Sequence, residues 1–200
     1  MTAPVPPGAA GDAPRQLRPV EVKRLNRDWR RVSEDRLALL LDSVGQPFNV
    51  GSIVRSAAAF GAEHLWLCGG TAPLSHPGVG KTALGTQRQV QAITEPSPVA
   101  AAKAAAAAGL RVVAIELASG ALPLHEAPLY GDVCLAVGHE DHGCSAGLLA
   151  VADAIAYIPQ PGRVGSLNVA VASAIAMAEA RRRAWTGSGP GGAGPASGGP

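Results

Sequence analysis

Three short segments carry residue types at spacings that could do chemistry. The first is Asn49-Val50-Gly51-Ser52-Ile53-Val54-Arg55. Asn49 is a suitable helix N-cap, Gly51 lets backbone approach a ligand, and Arg55 projects about one and a half turns further on. An Arg there projects from a helix that follows a strand's carboxyl end, where open α/β sheets bind ligands. The second is Val137-Gly138-His139-Glu140-Asp141-His142-Gly143, two glycines bracketing a carboxylate. Such a loop can present backbone groups to a small ligand while Glu140 orders it. His139, Glu140 and His142 suggest no metal, because adjacent positions on a short loop rarely converge on one ion. The third runs from Ile158-Pro159 through Gly162 to Ser166-Leu167-Asn168-Val169-Ala170. It reads as a Gly-containing loop entering a helix N-terminus, with Ser166 as N-cap. Each segment also has a plainer reading: a capped surface helix, a turn, and a packed core helix.

The elements that must position these segments alternate. Leu37–Leu41, Leu65–Cys68, Val90–Ile93, Arg111–Leu117, Val133–Val137 and Ala154–Ile158 read as six strands. Residues 49–60, 97–108 and 166–184 read as helices, the last ending in Arg181, Arg182 and Arg183, where cations suit the helix dipole. The alternation predicts an α/β fold with a mostly parallel sheet flanked by helices. The two segment loops then lie at strand carboxyl ends, where open α/β sheets bind ligands. Residues 1–14 and 187–200 read as disordered tails of Pro, Gly, Ser and Ala, residues 15–36 as a basic helical extension, and residues 37–186 as the folded domain.

Composition sets outer limits. The chain has 200 residues and is 47% hydrophobic, enough for a sizeable core, so wholesale disorder is excluded. Its net charge of +2 is too small to announce a nucleic-acid partner by itself. Three scattered cysteines make neither a disulfide framework nor a zinc site. No apolar run reaches the roughly 18 residues of a spanning helix, and no basic start precedes an apolar stretch as in a secretory signal. A cytoplasmic location is the expectation. Gly78-Val79-Gly80-Lys81-Thr82 looks like the end of a phosphate loop, but position 75 is Ser75 where that motif needs Gly.

Taken together, the three segments resemble the three motifs of the SpoU/TrmH family of RNA ribose 2′-O-methyltransferases, the trefoil-knotted SPOUT class. Asn49, Gly51 and Arg55 meet the first motif; Val137, Gly138, Glu140 and Gly143 the second; Ile158, Pro159, Ser166, Leu167, Asn168, Val169 and Ala170 the third. The likeness runs from about Leu37 to Arg183.

The resemblance implies a C-terminal knot, a homodimer, and S-adenosylmethionine bound without metal by Glu116, Leu117, Val137, Gly138, Glu140, Gly143, Ile158, Ser166, Leu167, Asn168 and Ala170. It implies a catalytic set of Arg55, Asn49, Glu140, Ser166 and Asn168, with Arg55 pointing into the mouth of the site. The partner it implies is transfer or ribosomal RNA, gripped by Arg55 and by Arg24, Arg27, Arg30 and Arg31 of the basic extension, near Trp29. Two alternatives stay open: a non-catalytic RNA-binding relative, and an unrelated phosphate-binding α/β enzyme using Lys81.

Overall fold

The structure, a computed structural model, describes residues 3–7 and 13–187. The expected tails therefore fall mostly outside the described residues. The chain divides into two compact units between Glu34 and Asp35.

The first unit holds helix α1, Pro19–Arg30. Pro19 suits the first turn because its missing N–H would have no helical partner there. The Glu21 carboxylate accepts from the Arg18 backbone N–H at 2.7 Å and from the Arg15 guanidinium at 2.8 Å. These cations hold its carboxyl well below the usual carboxylate range. No residue of α1 is buried, and Arg24, Arg27, Arg30 and Arg31 are exposed. The helix is shorter than the expected 15–36 segment. Arg36 belongs to the second unit, where its guanidinium donates to Asp132 at 2.7 Å and to the Ala108 carbonyl at 2.8 Å.

Among the described residues the second unit has seven strands: β1 Leu37–Asp42, β2 His64–Cys68, β3 Gln91–Thr94, β4 Arg111–Ile115, β5 Leu122–Pro123, β6 Val133–Val137 and β7 Ala154–Tyr157. They pair in the order β3-β2-β1-β6-β4-β7-β5, every pairing parallel. β1 and β6 lie at the centre and are buried throughout, which explains their unbroken apolar runs.

Side-chain alternation sorts the core into two layers. Leu39, Leu41, Leu65, Leu67, Val113 and Leu135 pack toward helices α2 (Pro47–Ala59), α3 (Pro77–Ala83) and α6 (Val169–Thr186). Ala38, Leu40, Trp66, Val112, Cys134 and Ala136 pack toward α4 (Pro98–Ala107) and α5 (Ala146–Val151). Each fully buried Leu contributes about 1.5–3 kcal/mol of transfer free energy. All three cysteines are buried and free. Burial and the nearby Asp42 push the Cys68 thiol up to about 12.

All six expected strands are present, with several boundaries moved. β4 stops at Ile115, so Glu116 and Leu117 lie beyond the strand. The two-residue β5, the seven-residue α3 and the six-residue α5 are additions too short to show a period. Two N-caps are corrected. Helix α2 begins at Pro47, with Gln46 in the cap position, not Asn49. Helix α6 begins at Val169, and its N-cap is Asn168, not Ser166. The Asn168 side chain accepts from the Ala170 N–H at 2.9 Å, whereas Ser166 stays in the preceding loop.

Candidate active site

Parallel strands deliver their carboxyl ends to one edge of the sheet. There the chain leaves β4 through Glu116 and Leu117, β6 through Gly138–Gly143, and β7 through Ile158–Gln160. These segments and the loop before α6 enclose a cleft of about 500 Å³. Of the expected cofactor residues, Glu116, Leu117, Val137, Gly138, Glu140, Gly143, Ile158, Ser166, Leu167 and Asn168 line it. Ala170 does not: it is 8% exposed and packs into the core beside α2.

The loop after β6 is a closed turn. His139 and Gly143 exchange backbone hydrogen bonds of 3.0 and 2.8 Å. A Cβ on Gly138 would sit 2.0 Å from the Gly143 carbonyl carbon, so only glycine fits. Glu116 braces the turn from β4. Its Oε2 accepts from the Cys144 N–H at 2.8 Å and its Oε1 from its neighbour Leu117 at 3.0 Å. The His139 and His142 rings stack with centroids 4.9 Å apart, and His139 Nδ1 accepts from the Asp141 N–H at 3.0 Å.

One hydrogen-bonded chain joins the three motifs. Glu140 reaches from the β6 loop to the start of α2, accepting from Gly45 N–H at 3.2 Å, Gln46 N–H at 3.1 Å and Asn49 Nδ2 at 2.9 Å. It supplies the anionic cap that Gln46 does not. Burial opposes ionisation of Glu140, but the Asn49 amide and the Gln46 and Gly45 N–H groups outweigh it and hold its carboxyl below the ordinary value. Asn49 Oδ1 in turn accepts from Asn168 Nδ2 at 2.9 Å, and Asn168 Oδ1 caps α6. Asn49 is thus a junction between two loops rather than a cap.

Two first-motif expectations change. Gly51 serves helix packing, not ligand approach: a Cβ there would lie 2.1 Å from Thr82 Oγ1 and 2.3 Å from the Val79 carbonyl. Arg55 does not line this chain's cleft. Six residues past Asn49, its side chain is turned about 120° around the helix axis. It is exposed and makes no hydrogen bond or ion pair among the described residues.

Lys81 sits within α3, and Gly78 packs on Pro47 and His76, so no phosphate loop exists. The Arg181–Arg183 cluster is engaged in the fold. Arg181 donates to the carbonyls of Phe60, Gly61 and Asp35, while Arg182 and Arg183 pair with Glu179 at 2.8 and 2.9 Å. Sequence reasoning missed Gln160. It lines the cleft, and its Oε1 is buried without a hydrogen-bond partner. No group of three or more potential metal ligands exists among the described residues. No described helix is long and apolar enough to cross a membrane.

A parallel sheet whose carboxyl edge carries a cleft walled by the segments after β4, β6 and β7 and the loop before α6, with the β6 loop and the α6 start bridged through Asn49 of α2, defines a ligand-binding α/β domain. Its family follows from comparison: a model described as the SpoU rRNA Methylase family matches residues 36–178, and the chain belongs to that family. It is 35% identical over 147 residues to the 23S rRNA (guanosine(2553)-2′-O)-methyltransferase RlmP of Bacillus subtilis, covering 72% of this chain and 58% of that one. It is 30% identical over 147 residues to the tRNA (guanosine(18)-2′-O)-methyltransferase of Escherichia coli, covering 74% and 63%. Among solved structures it is similar to the SpoU methyltransferase AviRb from Streptomyces viridochromogenes in complex with AdoMet. The TM-score is 0.68 at 31% identity, covering 75% of this chain and 61% of that one. The chain thus spans about three fifths of the length of these curated relatives.

Proposed function

We propose that this chain is an S-adenosylmethionine-dependent methyltransferase acting on a ribose 2′-hydroxyl of transfer or ribosomal RNA. The observation that carries the reading is the Glu140–Asn49–Asn168 chain, which ties the first motif, on α2, to the two motif loops that line one cleft. The cofactor fits on two counts. The cleft volume of about 500 Å³ falls in the range of small-molecule sites. The buried Gln160 Oε1 lacks the donor that a bound ligand would supply.

Bound adenosylmethionine supplies a methyl group already activated by a sulfonium charge. The protein then has to bind, orient and position. Gly138 and Gly143 keep the β6 loop thin enough to form the cleft wall, and Glu116 holds that loop against β4. Glu140, Asn49 and Asn168 lock the entry of α2 and α6. Ser166 and Leu167 line the cleft just before the α6 start. Arg55 binds the phosphate beside the target ribose and stabilises charge developing on its 2′-oxygen. Arg24, Arg27, Arg30 and Arg31 add phosphate contacts through the first unit.

The same proposal includes a homodimer, which would bring Arg55 of one copy to the cleft of the other. An apolar groove between α2 and α6 supports it, with Phe48, Val171 and Ile175 exposed at 52%, 49% and 38%. The groove also touches Asn49 and Asn168, so it abuts the cleft rim. A C-terminal knot is proposed as well. Its support is that β7 lies between β4 and β5, so the chain passing from β4 to β5 flanks a strand formed later.

The test is calorimetry with adenosylmethionine in excess chelator, followed by single-turnover methylation of transfer and ribosomal RNA transcripts. Cofactor binding and 2′-O-methyl product are the expected results. Folded protein that binds no adenosylmethionine overturns the assignment. Cofactor binding without turnover on any RNA favours a non-catalytic relative.

A further inference from the structure

The cations of the second unit divide into those engaged by the fold and those left free. Arg36 pairs with Asp132, Arg111 lies over the Tyr130 ring, Arg181 donates to three carbonyls, and Arg182 and Arg183 pair with Glu179. Arg55, Lys81, Arg88, Lys103 and Arg163 are exposed and make no hydrogen bond or ion pair among the described residues, and the first three lie close in sequence on neighbouring elements.

These three sit on elements that pack on one another. Arg55 is on α2, Lys81 on α3, and Arg88 on the 3-10 turn Thr86–Gln89. The α2–α3 crossing is tight, with Gly51 against Thr82 and Val79 and Thr82 Oγ1 donating to the Phe48 carbonyl at 3.0 Å. Arg55 lies one turn beyond Gly51, on the α2 face that meets α3. Left-handed Leu84 and Gly85, at φ 51° and 85°, then reverse the chain into the 3-10 turn. Thr86 Oγ1 fastens the reversal by donating to the Ala83 carbonyl at 2.6 Å. The scaffold presenting the three cations is therefore rigid.

The acidic side of the ledger is empty here. Between Asp42 and Glu95 the sequence holds one carboxylate, Glu63, and none lies on α2, α3 or the 3-10 turn. The cleft loops, in contrast, carry Glu116, Glu140 and Asp141. Three unpaired cations on a rigid, acid-free surface leave a field that only an external anion can answer. Cations spaced along a surface suit a polyanion better than a single phosphate.

We propose that Lys81 and Arg88 continue the anion-binding surface begun by Arg55, and that it takes the sugar–phosphate backbone of RNA flanking the target nucleotide. This rests on the RNA methyltransferase reading above. Lys81 acts as a point charge on one phosphate, and Arg88 can engage another through its fork. Neither touches the reacting ribose, so both serve affinity rather than the chemical step.

The test is fluorescence anisotropy of an unmodified transfer RNA transcript and of a 20-nucleotide polyuridylate, titrated at several salt concentrations. The proteins are the parent, Lys81→Gln/Arg88→Gln, and Lys103→Gln on α4 in the opposite helical layer. The double variant should bind RNA at least about tenfold more weakly. Its slope of log affinity against log salt should fall by roughly 1.4–1.8, as expected for two lost phosphate contacts. Its adenosylmethionine affinity and melting temperature should match the parent, and Lys103→Gln should leave the slope unchanged. A double variant with the parent's RNA affinity and slope overturns the proposal while the methyltransferase reading stands. A slope lowered equally by Lys103→Gln overturns the localisation to this face. A parent that binds no adenosylmethionine overturns the enzymatic reading instead, and a parent that binds no RNA overturns both.

Discussion

Asn49 Nδ2 donates to Glu140 Oε1 at 2.9 Å across 91 residues of sequence, joining the first turn of α2 to the loop after β6. The amide has no freedom to flip, because its oxygen accepts from Asn168 Nδ2 at 2.9 Å and Asn168 Oδ1 is committed to the α6 cap. Each donor meets an acceptor in one direction only.

That arrangement predicts coupled energetics. Asn49→Ala should destabilise the protein by about 1–3 kcal/mol, because it strips a partner from both Glu140 and Asn168. Glu140→Ala should cost a similar amount through the lost helix cap. The double variant should cost less than the sum, with a coupling of about 0.5–3 kcal/mol. Urea unfolding of the four proteins checks this, and strict additivity would show that the pair is not energetically linked.

Glu140 also sets a pH dependence. Its carboxyl is held below the ordinary glutamate value by the Asn49 amide and two backbone N–H groups, against the opposing effect of burial. A depressed folded-state value means the unfolded chain takes up the proton first as pH falls. The stabilisation is therefore complete above the ordinary value of about 4.3 and disappears as pH drops through the lower folded value. The stability difference between the parent and Glu140→Gln should be constant from pH 6 to 8 and shrink below about 4. A difference that grows on acidification would contradict the geometry.

Gly138→Ala should fail locally. The added Cβ would press on the backbone of Gly143 and Cys144 at 2.0–2.1 Å. Overpacking of this kind costs about 1–3 kcal/mol and forces the loop outward. The expected result is a folded protein with a lowered melting temperature and at least tenfold weaker adenosylmethionine binding. Unchanged affinity by calorimetry would remove the β6 loop from the cofactor site.

Gln160 offers a test of the cleft's polarity. Gln160→Leu removes an acceptor that has no partner within the protein, so stability should hold or rise slightly. Cofactor affinity should drop severalfold, the scale of one hydrogen bond worth about 1 kcal/mol. An affinity equal to the parent's would place the Gln160 oxygen outside the ligand's reach.

Arg55 separates binding from chemistry. Arg55→Ala should leave cofactor affinity intact and lower single-turnover methylation at least about a hundredfold, with little recovery in Arg55→Lys. Mixing Arg55→Ala with a Gly138→Ala protein should restore part of the activity if two copies share each cleft. Near-normal turnover by Arg55→Ala would make it an ordinary surface residue.

Much of this fold is legible in the sequence. The central strands announced themselves because β1 and β6 are buried on both faces and so read as unbroken apolar runs. The loops at the strand ends were likewise readable as neighbours in space, and all but Ala170 of the residues expected to hold the cofactor line one cleft. The partners were not readable. Asn49 looked like a cap because its residue type suits one, yet Pro47 starts the helix and a glutamate 94 residues beyond Gln46 caps it. Gly51 looked like a ligand glycine, but its requirement comes from α3, a helix too short to show a period. Gln160 gave no signal at all, since an orphaned oxygen exists only once its surroundings are folded.

The three cysteines, placed in the layer beneath α4 and α5, have a practical consequence. Cys68, Cys134 and Cys144 are the chain's whole complement of sulfhydryls, and all are buried. Burial pushes each of them up and so keeps the reactive thiolate scarce at neutral pH. The exterior is chemically silent toward maleimides. A single cysteine introduced at a surface position can therefore carry a dye or spin label in the otherwise native sequence.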